Sequence, residues 1–230
     1  TRAGTAANAY NLAPAFLDHV LARYGGTRLG RQEIDGEIIA ERADALWTRA
    51  RLEACRVAVA PVLTRIVVAV DPPGSVRPGS NACGIVAAGR AADGTFYVLD
   101  DASAAGLSPQ AWATKAIALW RRREADCLVA EANYGGDMVR AVIRAADASV
   151  PVVIVRASRG KFARAEPVAQ LYEQGRVKHV GVFPELEDEM RDFGLDGLSS
   201  GRSPDRLDAL VWAIAALSYG AGVGPRIRAL

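Results

Sequence analysis

The stretch Ile66-Val67-Val68-Ala69-Val70-Asp71-Pro72-Pro73-Gly74 decides the fold class. Five apolar residues, mostly β-branched, form the kind of run found in a buried strand. The run stops at an aspartate, two prolines and a glycine, which is turn chemistry. Working downstream, residues 82–89 and 95–99 read as two more strands, joined by a turn at Asp93-Gly94. Ser108-Pro109 opens a helix that runs to about Arg123. Cys127-Leu128-Val129-Ala130 reads as a fourth strand ending at Glu131. Gly135-Gly136 leads into a helix over residues 138–146, and Pro151-Val152-Val153-Ile154-Val155 reads as a fifth strand.

The order is β-β-β-α-β-α-β. Two hairpin connections are followed by two helical crossovers, and crossovers of that length make parallel neighbours. The expected class is α/β, a mixed five-stranded sheet flanked by helices. A last helix is predicted over residues 204–218, with Ser203 as N-cap, Pro204 in the first turn and Asp205 complementing the dipole.

Working upstream, the first 60 residues read as a separate arm. Phe16, Leu17, Val20, Leu21 and Tyr24 share one helical face, which starts at Pro14 and stops at Gly25-Gly26. A second helical pattern covers residues 38–51 and includes Leu46 and Trp47. The expected division is a helical arm over 1–60 and an α/β domain over 61–230.

Composition limits the function classes. The chain has 230 residues, half of them hydrophobic, enough for one large domain or one domain with an appendage. The net charge is +2, with 28 basic and 26 acidic residues, and 25 of the bases are Arg. That sum gives no sign of a uniformly basic nucleic-acid surface. Cys55, Cys83 and Cys127 are odd in number and lack metal-type spacing, which excludes a disulfide framework and fits a reducing compartment. With only His19 and His179 present, a His-rich zinc site is not expected, and any metal falls to carboxylates. No apolar run approaches a membrane span; the longest is residues 209–217. The start, Thr1-Arg2-Ala3-Gly4, has neither Met nor a signal peptide pattern, which reads as a fragment or a processed piece. Phosphate-loop and dinucleotide fingerprints are absent.

Three carboxylates sit where carboxylates cost most. Asp71 ends the first strand, Glu131 ends the fourth, and Asp208 borders the apolar stripe Leu207, Leu210, Val211, Ile214 and Leu217 of the last helix. An unpaired buried carboxylate is unfavourable by several kcal/mol or shifts its pKa. A divalent cation such as Mg²⁺ or Mn²⁺ relieves that, because it takes oxygen ligands. If the fourth strand lies beside the first, Asp71 and Glu131 emerge about one strand spacing apart, ~4.8 Å. Three such groups could hold two cations ~3.5–4 Å apart, the arrangement for in-line attack on a phosphodiester. The bland readings stand beside this one. Asp71-Pro72 is also an ordinary turn, Asp208 also a partner for Arg206 or another arginine, and Asp205 also a simple dipole residue. Asp100-Asp101 reads as a turn, with Asp101 and Asp205 as possible outer supports of the metal ligands.

Residues 156–178 gather six bases against Glu166 and Glu173, and residues 185–196 reverse the sign. Arg159, Lys161 and Arg164 suit a mobile loop touching DNA phosphates, with Arg176 and Lys178 beyond it. The alternative is a solvated loop paired with the acidic segment. His179 reads as a strand or hairpin residue without a catalytic role, and Cys83 and Cys127 as small core residues.

The element order and its Asp, Glu and Asp resemble the ribonuclease H-like nuclease fold. Within that fold the chain resembles the C-terminal nuclease domain of the large terminase subunit of tailed phages. Three segments carry the resemblance: Val68-Ala69-Val70-Asp71-Pro72, Val129-Ala130-Glu131-Ala132-Asn133-Tyr134-Gly135-Gly136, and Ser203-Pro204-Asp205-Arg206-Leu207-Asp208-Ala209-Leu210-Val211-Trp212-Ala213. Asn8-Ala9-Tyr10-Asn11-Leu12-Ala13 and Tyr24-Gly25-Gly26-Thr27-Arg28-Leu29-Gly30-Arg31-Gln32-Glu33 resemble the stretch that joins motor to nuclease. The resemblance implies an endonuclease that uses Mg²⁺ or Mn²⁺ to cut concatemeric double-stranded DNA during capsid packaging. It implies Asp71, Glu131 and Asp208 as metal ligands and catalytic residues, with Asp205 a neighbouring acid. It also implies an ATPase motor domain of the same subunit, a portal and a small terminase subunit as partners, in the cytoplasm of a bacterial host. The source would be a phage, a prophage or a gene transfer particle. Two other readings share these residues: a non-catalytic DNA-binding or docking module, and a junction-resolving nuclease of the same fold.

Overall fold

The computed structural model describes Ala13 and residues 42–73, 82–132 and 136–219. The first arm helix and both arm segments of the resemblance fall outside these residues, save Ala13.

The central strand is β2 (Leu63–Asp71), the run quoted above extended at its start. It pairs antiparallel with β3 (Gly84–Ala91), which pairs antiparallel with β4 (Phe96–Asp101). The tight β3–β4 turn carries Gly94 at φ 84°, and the Asp93 carboxylate accepts from Thr95 N. On its other side β2 pairs parallel with β5 (Cys127–Glu131), and β5 with β6 (Val152–Val155). The crossovers are α2 (Pro109–Arg122), capped by Ser108, and α3 (Gly136–Ala146).

The sheet has seven strands rather than five. β1 (Arg56–Val57) and β7 (Val177–Val180) add on beyond β4, giving the order β1-β7-β4-β3-β2-β5-β6. Two- and four-residue strands carry almost no periodicity of their own. They exist because β4 offers a free edge, and His179 is buried on β7 as the sequence suggested.

Alternation along β2 separates two cores. Val68 and Val70 face α2 and α3, while Val67 and Ala69 face the helices of the opposite layer. That second layer holds α4 (Lys161–Glu173), α5 (Pro184–Asp192) and α6 (Asp205–Tyr219). β8 (Phe193–Gly194) and β9 (Gly197–Leu198) form a small hairpin after α5.

Three expectations change. The basic segment is not one loop: residues 156–160 lead into helix α4, which carries Lys161 and Arg164 because Ala165, Val168, Ala169 and Tyr172 recur at helical spacing and bury. That burial carries the helix through Pro167, which lacks the N–H for an internal bond. Second, the helix near residue 50 is short. α1 (Arg49–Ala54) begins at the Thr48 cap, and Trp47 precedes it, packed edge-on to Tyr172 at 5.9 Å. Trp47, Leu52 and Cys55 join the core and β1 joins the sheet. Third, α6 is capped differently. The Pro204 carbonyl accepts its first bond, from Asp208 N, and Pro204 has no side-chain acceptor. Glu189 of α5 supplies one, accepting from Arg206 N at 3.0 Å and Leu207 N at 3.1 Å.

The acidic segment therefore serves several partners. Glu185 pairs with Arg206, and Glu187 with Arg56 and His179. Glu187 joins a buried chain in which Tyr172 Oη lies 2.7 Å from His179 Nε2, and His179 Nδ1 lies 3.1 Å from Glu187 Oε1. Burial alone would raise the Glu187 carboxyl, but the His179 hydrogen bond and charge, with Arg56, outweigh it and hold it below its ordinary value. A depressed carboxylate contributes stability above its unfolded pKa and loses it as pH falls through the folded value. Glu187→Gln is therefore expected to destabilise by about 2–4 kcal/mol at neutral pH. Urea melts should show that gap narrowing steadily below about pH 4.5.

Candidate nuclease site at the end of the central strands

The side-chain alternation that sorts the cores also aims the acids. Asp71 follows Val67 and Ala69 at two-residue steps, and Glu131 follows Cys127 and Val129. Both point toward the layer of α4 and α6. Val70 pairs with Ala130 in parallel register, so Asp71 and Glu131 leave neighbouring strands at the same end.

Helix α6 reaches them because of Gly84. Gly84 is the register partner of Asp71 on β3. A Cβ on it would stand 1.9 Å from the Asp205 carbonyl oxygen. Only a residue without Cβ lets the start of α6 lie this close to the sheet. That contact brings Asp205 and Asp208, both buried, over the strand ends. Sequence reading passed over Gly84; a glycine inside a β-branched strand was the available signal.

Cations tie the carboxylates together. Arg164 forks between Glu131 Oε1 at 3.2 Å and Asp208 Oδ1 at 3.0 Å. Lys161 bonds the other Asp208 oxygen, and Ser203 Oγ at 2.6 Å. Trp212, one turn beyond Asp208, donates from Nε1 to Glu131 Oε2 at 2.5 Å. Its ring lies 4.9 Å beneath the Arg164 guanidinium. Asp101 holds α6 from outside, through Arg206 at 2.8 Å. Arg206 is thus not the partner of Asp208.

Asp71 is short of positive charge. Burial, then the charges of Asp208, Glu131 and Asp205, push its carboxyl well above the usual range, against only partial relief from Lys161. Burial, together with the Asp208 charge, pushes Asp205 up to about 6 in spite of Ser203 and Lys161. Asp71, Glu131 and Asp205 border a cleft of about 610 Å³, whose walls include Trp112, Arg159 and Ser203.

Among the described residues, no three acidic, histidine or cysteine side chains converge as a ready metal site. The reason is visible: Lys161 and Arg164 hold oxygens that a cation would take. The donor set still fits an oxygen-seeking divalent ion. It is all carboxylate and it is crowded, and a cation would offset the burial and neighbouring charges that oppose ionisation of Asp71. Of the remaining sequence-predicted residues, Arg159 lies beside the cleft, Arg176 lines a separate groove behind α4, and Lys178 lines a hollow near α1. Glu189, Trp212 and Gly84 are positioning residues that the sequence did not announce.

Comparison with known proteins agrees with this architecture. The nuclease domain of the large terminase subunit gp2 of bacterial virus Sf6 superposes with a TM-score of 0.58 at 15% identity, covering 74% of this chain and 98% of that one. A variant of that domain has been solved with manganese. The large terminase nuclease of thermophilic phage G20c gives 0.51 at 17% identity, covering 66% and 81%. The large terminase of another thermophilic bacteriophage gives 0.57 at 13% identity, and there the chain spans 91% of itself but 54% of the relative. No curated protein sequence matches the chain significantly. The description of the terminase RNaseH-like domain matches residues 68–217, so the chain belongs to the terminase RNase H-like domain family.

Proposed function

We propose that this chain is a divalent-metal-dependent endodeoxyribonuclease that cuts concatemeric double-stranded DNA during capsid packaging. One observation carries the reading: Asp71 and Glu131 leave adjacent strands at an open cleft, and Arg164 ties Glu131 to Asp208, in a chain of the terminase family. The manganese form of the Sf6 domain supports the choice of cation. Two such ions, Mg²⁺ or Mn²⁺, would supply Lewis-acid activation of the attacking water and charge stabilisation of the leaving oxygen.

The chain's own groups do the rest. Asp71, Glu131 and Asp208 would hold the ions, and Trp212 fixes the rotamer of Glu131. Asp101 and Glu189 fix α6 through Arg206 and its cap. Arg164 and Lys161, released from the carboxylates, turn to phosphate oxygens. Attack by water at phosphorus leaves 5′-phosphate and 3′-hydroxyl ends. Among the described residues no helix stands free of the sheet layers to read bases, so little sequence preference is expected. The partners are duplex DNA, an ATPase motor domain of the same subunit, a portal and a small terminase subunit, in the cytoplasm of a bacterial host.

The Lys161 and Arg164 ion pairs favour a second reading, in which the acids only complete salt bridges and the domain binds DNA without cutting. Calorimetric titration with Mn²⁺ and a plasmid-nicking assay separate the two. Saturable heat, and nicking that EDTA abolishes, are expected; no heat and intact plasmid would establish the docking reading.

A further inference from the structure

Behind α4 lies a second concavity of about 430 Å³, between that helix, α6 and the β3–β4 end of the sheet. Its floor is apolar, with Leu171, Val211 and Ile214. Five arginines line it: Arg90, Arg156, Arg159, Arg164 and Arg176. No acidic side chain is among the described lining residues.

Arg164 holds Glu131 and Asp208, but the pairing of the other four sets them apart. Elsewhere Arg42, Arg49, Arg51, Arg56, Arg121 and Arg206 each meet a carboxylate. Arg90 and Arg176 bond only backbone carbonyls, of Leu217 and Gly94. Both guanidiniums approach the Phe96 ring, at 5.9 and 5.8 Å, and both reach within 4 Å of the point where a Cβ would stand on Gly94. The Asp93 carboxylate interacts with Arg176, but neither guanidinium forms an ion pair among the described residues, and two like charges side by side form a fork suited to a bridging anion. Arg156 and Arg159 meet no carboxylate among the described residues. Arg159 and Arg164 also line the catalytic cleft, so cleft and groove meet across the start of α4.

We propose that this groove binds the phosphate backbone of the DNA strand running away from the scissile phosphate. Arg159 and Arg164 carry the strand out of the cleft, and Arg156, Arg90 and Arg176 hold the phosphates beyond. A strand presents one charge per ~3.4 Å, which matches a row of guanidiniums better than a single small anion does. The choice of DNA rests on the nuclease reading above.

The test is fluorescence anisotropy with a labelled duplex, without divalent cations, over a range of KCl concentrations. Arg156→Gln with Arg159→Gln is the first variant, because neither side chain bonds the protein among the described residues. The salt slope of log Kd is expected to fall by ~1 for each arginine removed. Arg90→Gln with Arg176→Gln should lower it similarly. Unchanged slopes in both variants overturn the proposal. So does displacement of duplex by millimolar inorganic phosphate, which marks a small-anion site, or preferential binding of polyglutamate, which marks an acidic-peptide site. Nicking by the unaltered chain is scored separately. Nicking with unchanged slopes removes the groove and keeps the nuclease; lowered slopes without nicking do the reverse.

Discussion

Asp71→Asn is expected to abolish DNA cleavage while leaving the fold as stable as before, or more so. Metal-based charge stabilisation is worth several kcal/mol in such reactions, and each ~1.4 kcal/mol is a factor of ten. The nicking rate should therefore fall by roughly 10²–10⁴-fold. Stability moves the other way because the Asp71 charge is unwelcome in the metal-free protein. Burial and the charges of Asp208, Glu131 and Asp205 all oppose it. An amide of the same shape removes that repulsion. Glu131→Gln is a poorer probe, since it also weakens the bonds to Arg164 and Trp212. Nicking kinetics and a thermal melt on the same preparation check the prediction. Full activity in the asparagine variant would mean that the cleft at β2 and β5 is not the site.

Gly84→Ala is expected to damage both fold and activity. The added methyl would lie 1.9 Å from the Asp205 carbonyl oxygen and 2.7 Å from its carbon. Both are backbone atoms at the capped end of a helix, so no rotamer change relieves the clash. α6 must lift from β3, which overpacks the interface at a cost of about 1–3 kcal/mol or more. For a domain of this size that lowers Tm by roughly 3–10 °C. The shift also carries Asp208 and Trp212 away from Asp71 and Glu131, so nicking should drop beyond what unfolding explains. Gly160→Ala is the control for stability. A Cβ there meets nothing within 4 Å, and its Tm should stay within about 2 °C. Equal Tm values for the two variants would show that the close approach does not position α6.

The reach of the sequence differs from element to element. β2, β5, α2 and α3 were readable because each buries a long, regular face and ends in a strong signal, such as Ser108-Pro109 or Asp71-Pro72. α4 was not, because glycine, alternating bases and Pro167 mask a stripe of four small and medium apolar residues. β1 and β7 were invisible as parts of a larger sheet, since an edge extension depends on what the neighbouring strand leaves unpaired.

The strand-end and helix positions of Asp71, Glu131 and Asp208 were legible, and a carboxylate at the end of an apolar run is costly wherever the chain folds. Sequence by itself determined the α/β class, the central strand and the apolar stripe of α6, all of which follow from local patterns of burial, and it offered these three acids as candidates. The tertiary structure alone decided that Gly84 admits α6, that Glu189 caps it, that Arg164 bridges two acids, and that four unpaired arginines share a groove. Those are contacts between residues far apart in the chain, and no local periodicity encodes which distant surfaces will meet.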